Sequence, residues 1–500
     1  MLLGVPRAAR ADWRPAGIRP TTATLGDVLA FHAKAVGEDP SGHDNRREGW
    51  TYTNGTHQLP VEVAVRGDDF RIDVMLDGAA YTAGRFGGAR WRGDANGIVH
   101  GTQADLQSDA IDRFPDILFG FRPQDCELAG ETASPHPAWV IADRPAGDRM
   151  HWLFFDQGSG LIVKSILREG KVVETTVFDR FDASFGIVRA RHWHLSDGDR
   201  ADDIDAILDG VSTGNVPVAA VAFPSTSAQR VFRLPDGNER VTLPAHFLRS
   251  GHIAVDVDVD GRSGRFILDT GTASITLNSG AAERLAGGVV LQHATVAKMS
   301  VGALSMDNVS VLAIPFGLGP AVSGILGYDF FFGHVVHIDY RGQRVEVLSH
   351  EAAQAAFADP AVTVIAANVD QGLPLVHAAI GLAAADDFAL DTASPHFYVM
   401  QPFAQRYGAE IAAHWTRIPS PPQTIEYVEG AIEVVPYQAA DLYFGPLHVR
   451  RVDVGVEVPT RRGDAIAIPF DAIIGTDILQ HFELWFDYDN GRVAMRYTGA

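Results

Sequence analysis

Two short segments of this chain carry residue types that could do hydrolytic chemistry together. One is Phe266-Ile-Leu-Asp-Thr-Gly-Thr272 and the other is Phe388-Ala-Leu-Asp-Thr-Ala-Ser394. In each, three apolar residues lead into an aspartate, then a threonine and a small residue. Two carboxylates close enough to share one proton cannot both ionise, so one pKa rises and the other falls. The ionised member takes a proton from water, while the protonated member donates to a scissile carbonyl and stabilises the developing oxyanion. This chemistry calls for no metal and no cofactor. The groups titrate as a pair, so no separate roles for Asp269 and Asp391 follow from the sequence.

The elements that must position such a pair can be read around it. An apolar triplet before each aspartate predicts the end of a buried strand. Thr270 and Thr392 can hydrogen-bond backbone in the opposite loop. The small residues Gly271 and Ala393 let each loop turn tightly. Gly327 and Gly475, each after an apolar pair, let a neighbouring strand approach the aspartate loop closely. These markers form an internal repeat. Val301-Gly-Ala-Leu-Ser-Met-Asp-Asn-Val309 is echoed by Phe444-Gly-Pro-Leu-His-Val-Arg-Arg-Val452. Gly324-Ile-Leu-Gly-Tyr-Asp-Phe-Phe331 is echoed by Ile473-Ile-Gly-Thr-Asp-Ile-Leu479, and each copy then reaches an Asp-Tyr pair, at Tyr340 and Tyr488. From Asp269 to Gly327 is 58 residues and from Asp391 to Gly475 is 84, so the second copy holds an insertion of 26.

These motifs resemble the aspartic peptidase superfamily, with two retropepsin-like halves fused in one chain as in pepsins. The resemblance covers residues 235–500 and implies lobes at 235–350 and 351–500, joined near the helix-like Glu351–Phe357. It implies that Thr270 and Thr392 form an inter-lobe grip. It also implies that Thr272 and Ser394 each set a hydroxyl against a carboxylate. Three features depart from the family pattern. Ala393 stands where glycine is preferred, Pro395-His396 follow where small or apolar residues are usual, and no tyrosine lies between 272 and 327. The insertion, with Ser420-Pro-Pro422 and Tyr427, offers an alternative lid.

Residues 21–225 read differently. A helix-like Leu25–Val36 precedes short runs of alternating character, such as Leu59–Val65, Phe70–Leu76 and Lys171–Phe178. Period-two alternation predicts half-buried antiparallel strands. Helical signals return at Thr102–Phe114 and Asp202–Asp209. Gly87-Gly-Ala-Arg-Trp-Arg-Gly-Asp-Ala-Asn-Gly97 and Phe155-Asp-Gln-Gly-Ser-Gly-Leu161 resemble strand–turn–strand signatures of the LolA/LolB-like lipoprotein carriers. That likeness implies a curved half-barrel with an apolar concave face able to hold an acyl chain or apolar peptide; the same residues could simply form a core against the helices. Residues 1–20, rich in Arg, Pro and Ala, read as a mobile lead-in. The Ser- and Pro-bearing stretch Phe223–Asp236 reads as a domain boundary. The expected fold is therefore mainly β: a curved antiparallel half-barrel with helices, then two acid-protease lobes forming a bilobal unit.

Composition narrows the function classes. The 500 residues are 46% hydrophobic and 21% charged, which is globular and long enough for about three domains. With 41 Lys+Arg against 62 Asp+Glu, the net charge of −21 argues against a nucleic-acid partner. The single cysteine, Cys126, cannot close an internal disulfide and reads as a small buried apolar residue. The uncharged run Val309–Tyr328 contains Pro315 and Pro320 and reads as strand, loop, strand rather than a membrane helix. Met1–Val5 is shorter than the apolar core of a secretory leader, though Ala-Arg-Ala at 9–11 looks like the end of one. The family resemblance favours the cell envelope or periplasm. His192-Trp-His194 puts two imidazoles on one strand face without an evident third ligand, so surface histidines are expected there and no metal.

The leading expectation is an endopeptidase cleaving extended peptides between the lobes. In a variant of that reading only the first lobe is competent and pairs with a second molecule. The rival is a non-catalytic envelope protein that binds apolar peptide or acyl ligands on a degenerate peptidase fold.

Overall fold

The computed structural model describes residues 13–499 apart from 38–44, 77–78, 101–125, 134–135, 144–149, 170, 184–187, 199, 201–202, 224–228, 287–288, 291, 320, 428–429, 461–467 and 469. The protein is mainly β. Its first large element is a sheet of thirteen strands. The strands from Asn45–Asn54 to Ile98–His100 form one meander and those from Cys126–Thr132 to Ile204–Thr213 form another. The two meanders join where Asn45–Asn54 pairs antiparallel with Ile204–Thr213. Short turns make the meanders possible. Phe86 pairs with Ala89, so Gly87 and Gly88 close a two-residue hairpin with both φ angles positive, at 59° and 85°. Glycine takes that conformation without a Cβ clash.

Helix Leu25–Val36 starts at Thr24, whose hydroxyl accepts from the Asp27 amide while the Asp27 carboxylate accepts from the Thr24 amide. This reciprocal cap satisfies amides that the first helical turn leaves open. Val28, His32 and Val36 recur at a spacing of four and are buried. Val28 joins a core with Trp50, Val61, Val63, Phe155, Trp193 and Leu208.

Several sequence expectations change here. Asp202–Asp209 was expected to be helical, but Ile204–Thr213 is a strand. Ala206 and Leu208 are buried while Asp205 and Ile207 are exposed, so the period is two and the acidic residues lie on the wet face. The lead-in is anchored from Trp13 onward. Trp13 packs edge-on against Trp152 at 4.9 Å, and Arg19 makes an isolated bridge with Glu131. Cys126 is half-buried against the same core instead of fully buried. The Thr102–Phe114 segment lies outside the described residues. The run Val309–Tyr328 contains the end of strand Leu304–Ile314, a connection and strand Gly324–Leu326. No helix among the described residues is long and apolar enough to cross a membrane.

From Arg240 onward the chain builds two copies of one pattern. In the first, strand Arg262–Leu268 runs parallel to Gly324–Leu326; in the second, Ala383–Leu390 runs parallel to Ala472–Ile474. Phe266, Ile267 and Leu268, and likewise Phe388, Ala389 and Leu390, are all buried. A strand covered on both faces must be apolar at consecutive positions, which is why the triplets lack alternation. The Gly302 and Gly445 echoes are equivalent hairpin turns, with φ of 59° and 56°.

A six-strand layer ties the copies together, in the order Arg240–Leu243, Arg344–Leu348, Val335–Asp339, Phe482–Asp487, Arg492–Tyr497 and Thr363–Asn368. Its centre is the antiparallel pairing of Val335–Asp339 with Phe482–Asp487, one strand from each copy. Buried His337 sits there between Glu346, at 3.1 Å, and Glu483, at 3.0 Å, with its ring stacked on Trp485.

Candidate active site

Each aspartate is the first residue past its buried strand. The Asp269 amide donates to Leu326 O and the Asp391 amide to Ile474 O, both at 3.0 Å, so the parallel strand fixes each aspartate's backbone. The glycines after those strands allow the approach. A Cβ on Gly327 would lie 2.2 Å from Thr272 O, and one on Gly475 would lie 2.4 Å from His396 O. Any side chain there would push the loop away.

The two loops are locked by their threonines. Thr270 Oγ1 donates to Leu390 O at 2.6 Å and accepts from the Thr392 amide at 3.0 Å. Thr392 Oγ1 donates to Leu268 O at 2.9 Å and accepts from the Thr270 amide at 3.1 Å. Both threonines are fully buried. Thr392→Val keeps the shape but leaves Leu268 O and the Thr270 amide unpartnered. It is expected to lower stability by about 1–3 kcal/mol for each group left unpartnered, read as a shift in the urea midpoint at constant slope.

This grip brings the carboxyls together. The carboxyls of Asp269 and Asp391 come close enough for each to act on the other's ionisation. The Asp391 carboxyl lies directly over Gly271, where an added Cβ would be 2.6 Å from Cγ. Asp269 Oδ1 accepts from the Gly271 amide at 2.7 Å and its Oδ2 accepts from Thr272 Oγ1 at 2.7 Å. Asp391 Oδ1 accepts from the amides of Ala393, at 2.8 Å, and Ser394, at 2.9 Å. Ser394 departs from the expectation the resemblance carried. Its hydroxyl donates to His396 O at 3.0 Å and not to the carboxylate, which its amide already serves.

Burial raises the pKa of both aspartates, and the hydrogen bonds from Thr272 and Gly271 oppose this at Asp269. At Asp391 the neighbouring Asp269 charge adds to burial, and the pKa is pushed up to about 8. A carboxyl that holds its proton more tightly folded than unfolded stabilises the fold at low pH. That contribution is complete below about 4, the unfolded value, and is lost as pH climbs through the folded value. Melting temperature is therefore expected to fall as pH rises toward 8, and to fall less in Asp391→Asn. A scanning-calorimetry series over pH checks this.

Other groups complete the surroundings. Asp329 Oδ2 accepts from the Ile275 amide and Asp477 Oδ2 from the Phe397 amide, both at 3.0 Å, so each holds the far side of one aspartate loop. Neither is among the residues the motifs single out, although the repeat displays them as Gly327-Tyr-Asp329 and Gly475-Thr-Asp477. Tyr427 follows strand Gln423–Glu426, which pairs with Ala431–Gln438, and its amide donates to Gly430 O at 2.7 Å. It packs with Ile425 against Leu375, Tyr398, Ile432 and Ile473. Burial, with the Asp391 charge second, raises its phenol well above the usual range. His192 and His194 are engaged elsewhere, by Asp179 at 2.7 Å and Asp205 at 3.0 Å. No cluster of three or more His, Cys, Asp or Glu suited to a metal ion occurs among the described residues.

No protein-family model matches the chain, and no curated protein matches it. Solved structures similar to it include a LolA superfamily protein from Nitrosomonas europaea, at 12% identity over 40% of this chain and 98% of that one, with a TM-score of 0.31. Basic 7S globulin from soybean is similar at 12% identity over 52% of this chain and 95% of that one, with a TM-score of 0.34. A retropepsin-like aspartic protease from Rickettsia conorii is similar at 15% identity over 27% of this chain and 90% of that one, with a TM-score of 0.20.

Proposed function

We propose that the chain is an aspartic endopeptidase. The observation that carries this reading is the Asp391 carboxyl set against Gly271 of the loop that carries Asp269, with the two loops held by the reciprocal threonine bonds. One proton is shared across the pair. The ionised carboxylate accepts a proton from water as its oxygen attacks the peptide carbonyl, and the protonated carboxyl donates to the carbonyl oxygen. Collapse of the tetrahedral species breaks the C–N bond, with a proton passing from the pair to the leaving amine. The partly exposed Ile425 and Phe470, packed on the core of Leu375, Tyr398 and Ile473, support apolar residues flanking the cut, with Tyr427 and its hairpin as the lid. Incubating the full chain with a mixed peptide library at acid pH tests the reading. Cleavage blocked by a statine-containing peptide is expected; no cleavage at any pH between about 3 and 8, spanning the range in which such a pair titrates, would end it.

A second reading is a non-catalytic binder of apolar peptides or acyl chains in the cell envelope. It is favoured by the second loop's departures, Ala393 and a Ser394 hydroxyl turned to His396 O, and by the large apolar-cored sheet. Ligand binding that persists in Asp269→Ala without turnover selects it.

A further inference from the structure

The thirteen-strand sheet reaches the aspartate loop of the first copy through one turn. Asp94-Ala-Asn-Gly97 links strands Ala89–Gly93 and Ile98–His100. The turn closes on itself, with the Asp94 amide donating to Gly97 O at 3.0 Å and the Asn96 amide to Asp94 Oδ1 at 2.7 Å. Asn96 is 1% exposed and enters the body of the first copy. Its Oδ1 accepts from the Ser310 amide at 2.8 Å, and its Nδ2 donates to Ser310 O at 2.7 Å and to Asp329 Oδ2 at 3.1 Å. The Ser310 hydroxyl donates to Tyr81 OH, at 2.6 Å, on the same sheet. Asp329 Oδ2 is also the acceptor for the Ile275 amide, six residues past Asp269.

The sheet also nears the loop through an intervening glycine. A Cβ on Gly372 would meet Ala273 Cβ at 2.6 Å and Val99 Cγ1 at 3.2 Å, so Gly372 is wedged between the loop and the sheet's edge strand. Among the described residues, no side chain of the sheet reaches the matching carboxylate of the second copy. Asp477, the equivalent of Asp329, is approached by His396 Nδ1 at 3.7 Å, from its own loop.

We propose that Asn96 is a positioning residue for hydrolysis, through which the thirteen-strand sheet holds Asp329 and thereby the loop that carries Asp269. The proposal rests on the peptidase reading above. A buried carboxylate that loses one of two donors must find another or shift, and an aspartate misplaced by a fraction of an ångström loses turnover before it loses substrate. Asp94 faces Asp329 across the same junction, with Arg92 the nearby cation, so an added negative charge at position 96 would be poorly tolerated.

Two variants of the full chain test this. Asn96→Ala is expected to lower kcat about tenfold with KM within about twofold, and to speed deuterium exchange in the segment containing the Ile275 amide. Asn96→Asp keeps the shape. At acid pH its protonated carboxyl can donate to Asp329, so its activity relative to the parent should approach one. As pH rises it ionises beside Asp94 and Asp329, and the ratio should fall. A purely structural role would leave the ratio of kcat per folded molecule the same at every pH. Unchanged kcat and exchange in Asn96→Ala, or a flat ratio in Asn96→Asp, overturns the proposal. If the parent chain cleaves nothing, the peptidase reading fails and positioning for hydrolysis fails with it. Exchange at Ile275 then still decides whether the sheet holds the loop.

Discussion

Asp269→Asn is expected to lower kcat on a cleaved peptide by at least about 10³-fold, the scale of a lost general acid–base partner, while the chain stays folded. Asparagine has the shape of aspartate, so the Gly271 amide and the Thr272 hydroxyl keep a side-chain partner. It cannot take up or release a proton, so an ionised Asp391 faces no protonated partner and the scissile carbonyl lacks its acid. The variant should also be at least as stable as the parent at neutral pH. Asp391 owes part of its raised pKa to the Asp269 charge, and removing that charge lets Asp391 ionise more readily. Turnover and melting temperature measured on the same preparation separate lost chemistry from lost fold. Full activity in Asp269→Asn would refute the shared-proton centre.

Gly271→Ala is expected to cost about 10²-fold in kcat, the scale of a displaced reacting group, and about 1–3 kcal/mol of stability from overpacking. The new methyl would occupy a point 2.6 Å from Asp391 Cγ and 2.6 Å from Oδ2. Neither loop can yield easily, because the buried threonine bonds hold both. The second copy makes the contrast, since Ala393 occupies the equivalent place while its amide still donates to Asp391. The converse change, Ala393→Gly, should therefore be tolerated. A Gly271→Ala chain with parent kcat would show that the carboxyls do not need their present separation.

The part of the site legible in sequence was the part that is repeated. Asp269 and Asp391, their threonines and Gly327 and Gly475 recur in order, and duplicated chemistry stands out against background composition. Strands such as Leu59–Val65 were legible because burial on one face imposes a period of two. Asp202–Asp209 reads as helical in the sequence but is part of a strand, in which Ala206 and Leu208 alternate with exposed residues. The direction of the Ser394 hydroxyl depends on which donors reach Asp391 first, and local spacing does not encode that. Asn96 stands out in the sequence only as part of a turn signature. Its partner Asp329 lies 233 residues away, and nothing in a one-dimensional pattern pairs a turn in one sheet with a carboxylate behind another.

The central layer built from Val335–Asp339 and Phe482–Asp487 takes one strand from each half of a single polypeptide. Encounter between the halves is therefore unimolecular, set by the tether and independent of how much protein is present. Activity per molecule should hold steady on dilution, where an assembly of two separate half-sized chains would fall apart and go silent. Each half is also free to accumulate changes its counterpart does not share, as Ala393 opposite Gly271 illustrates.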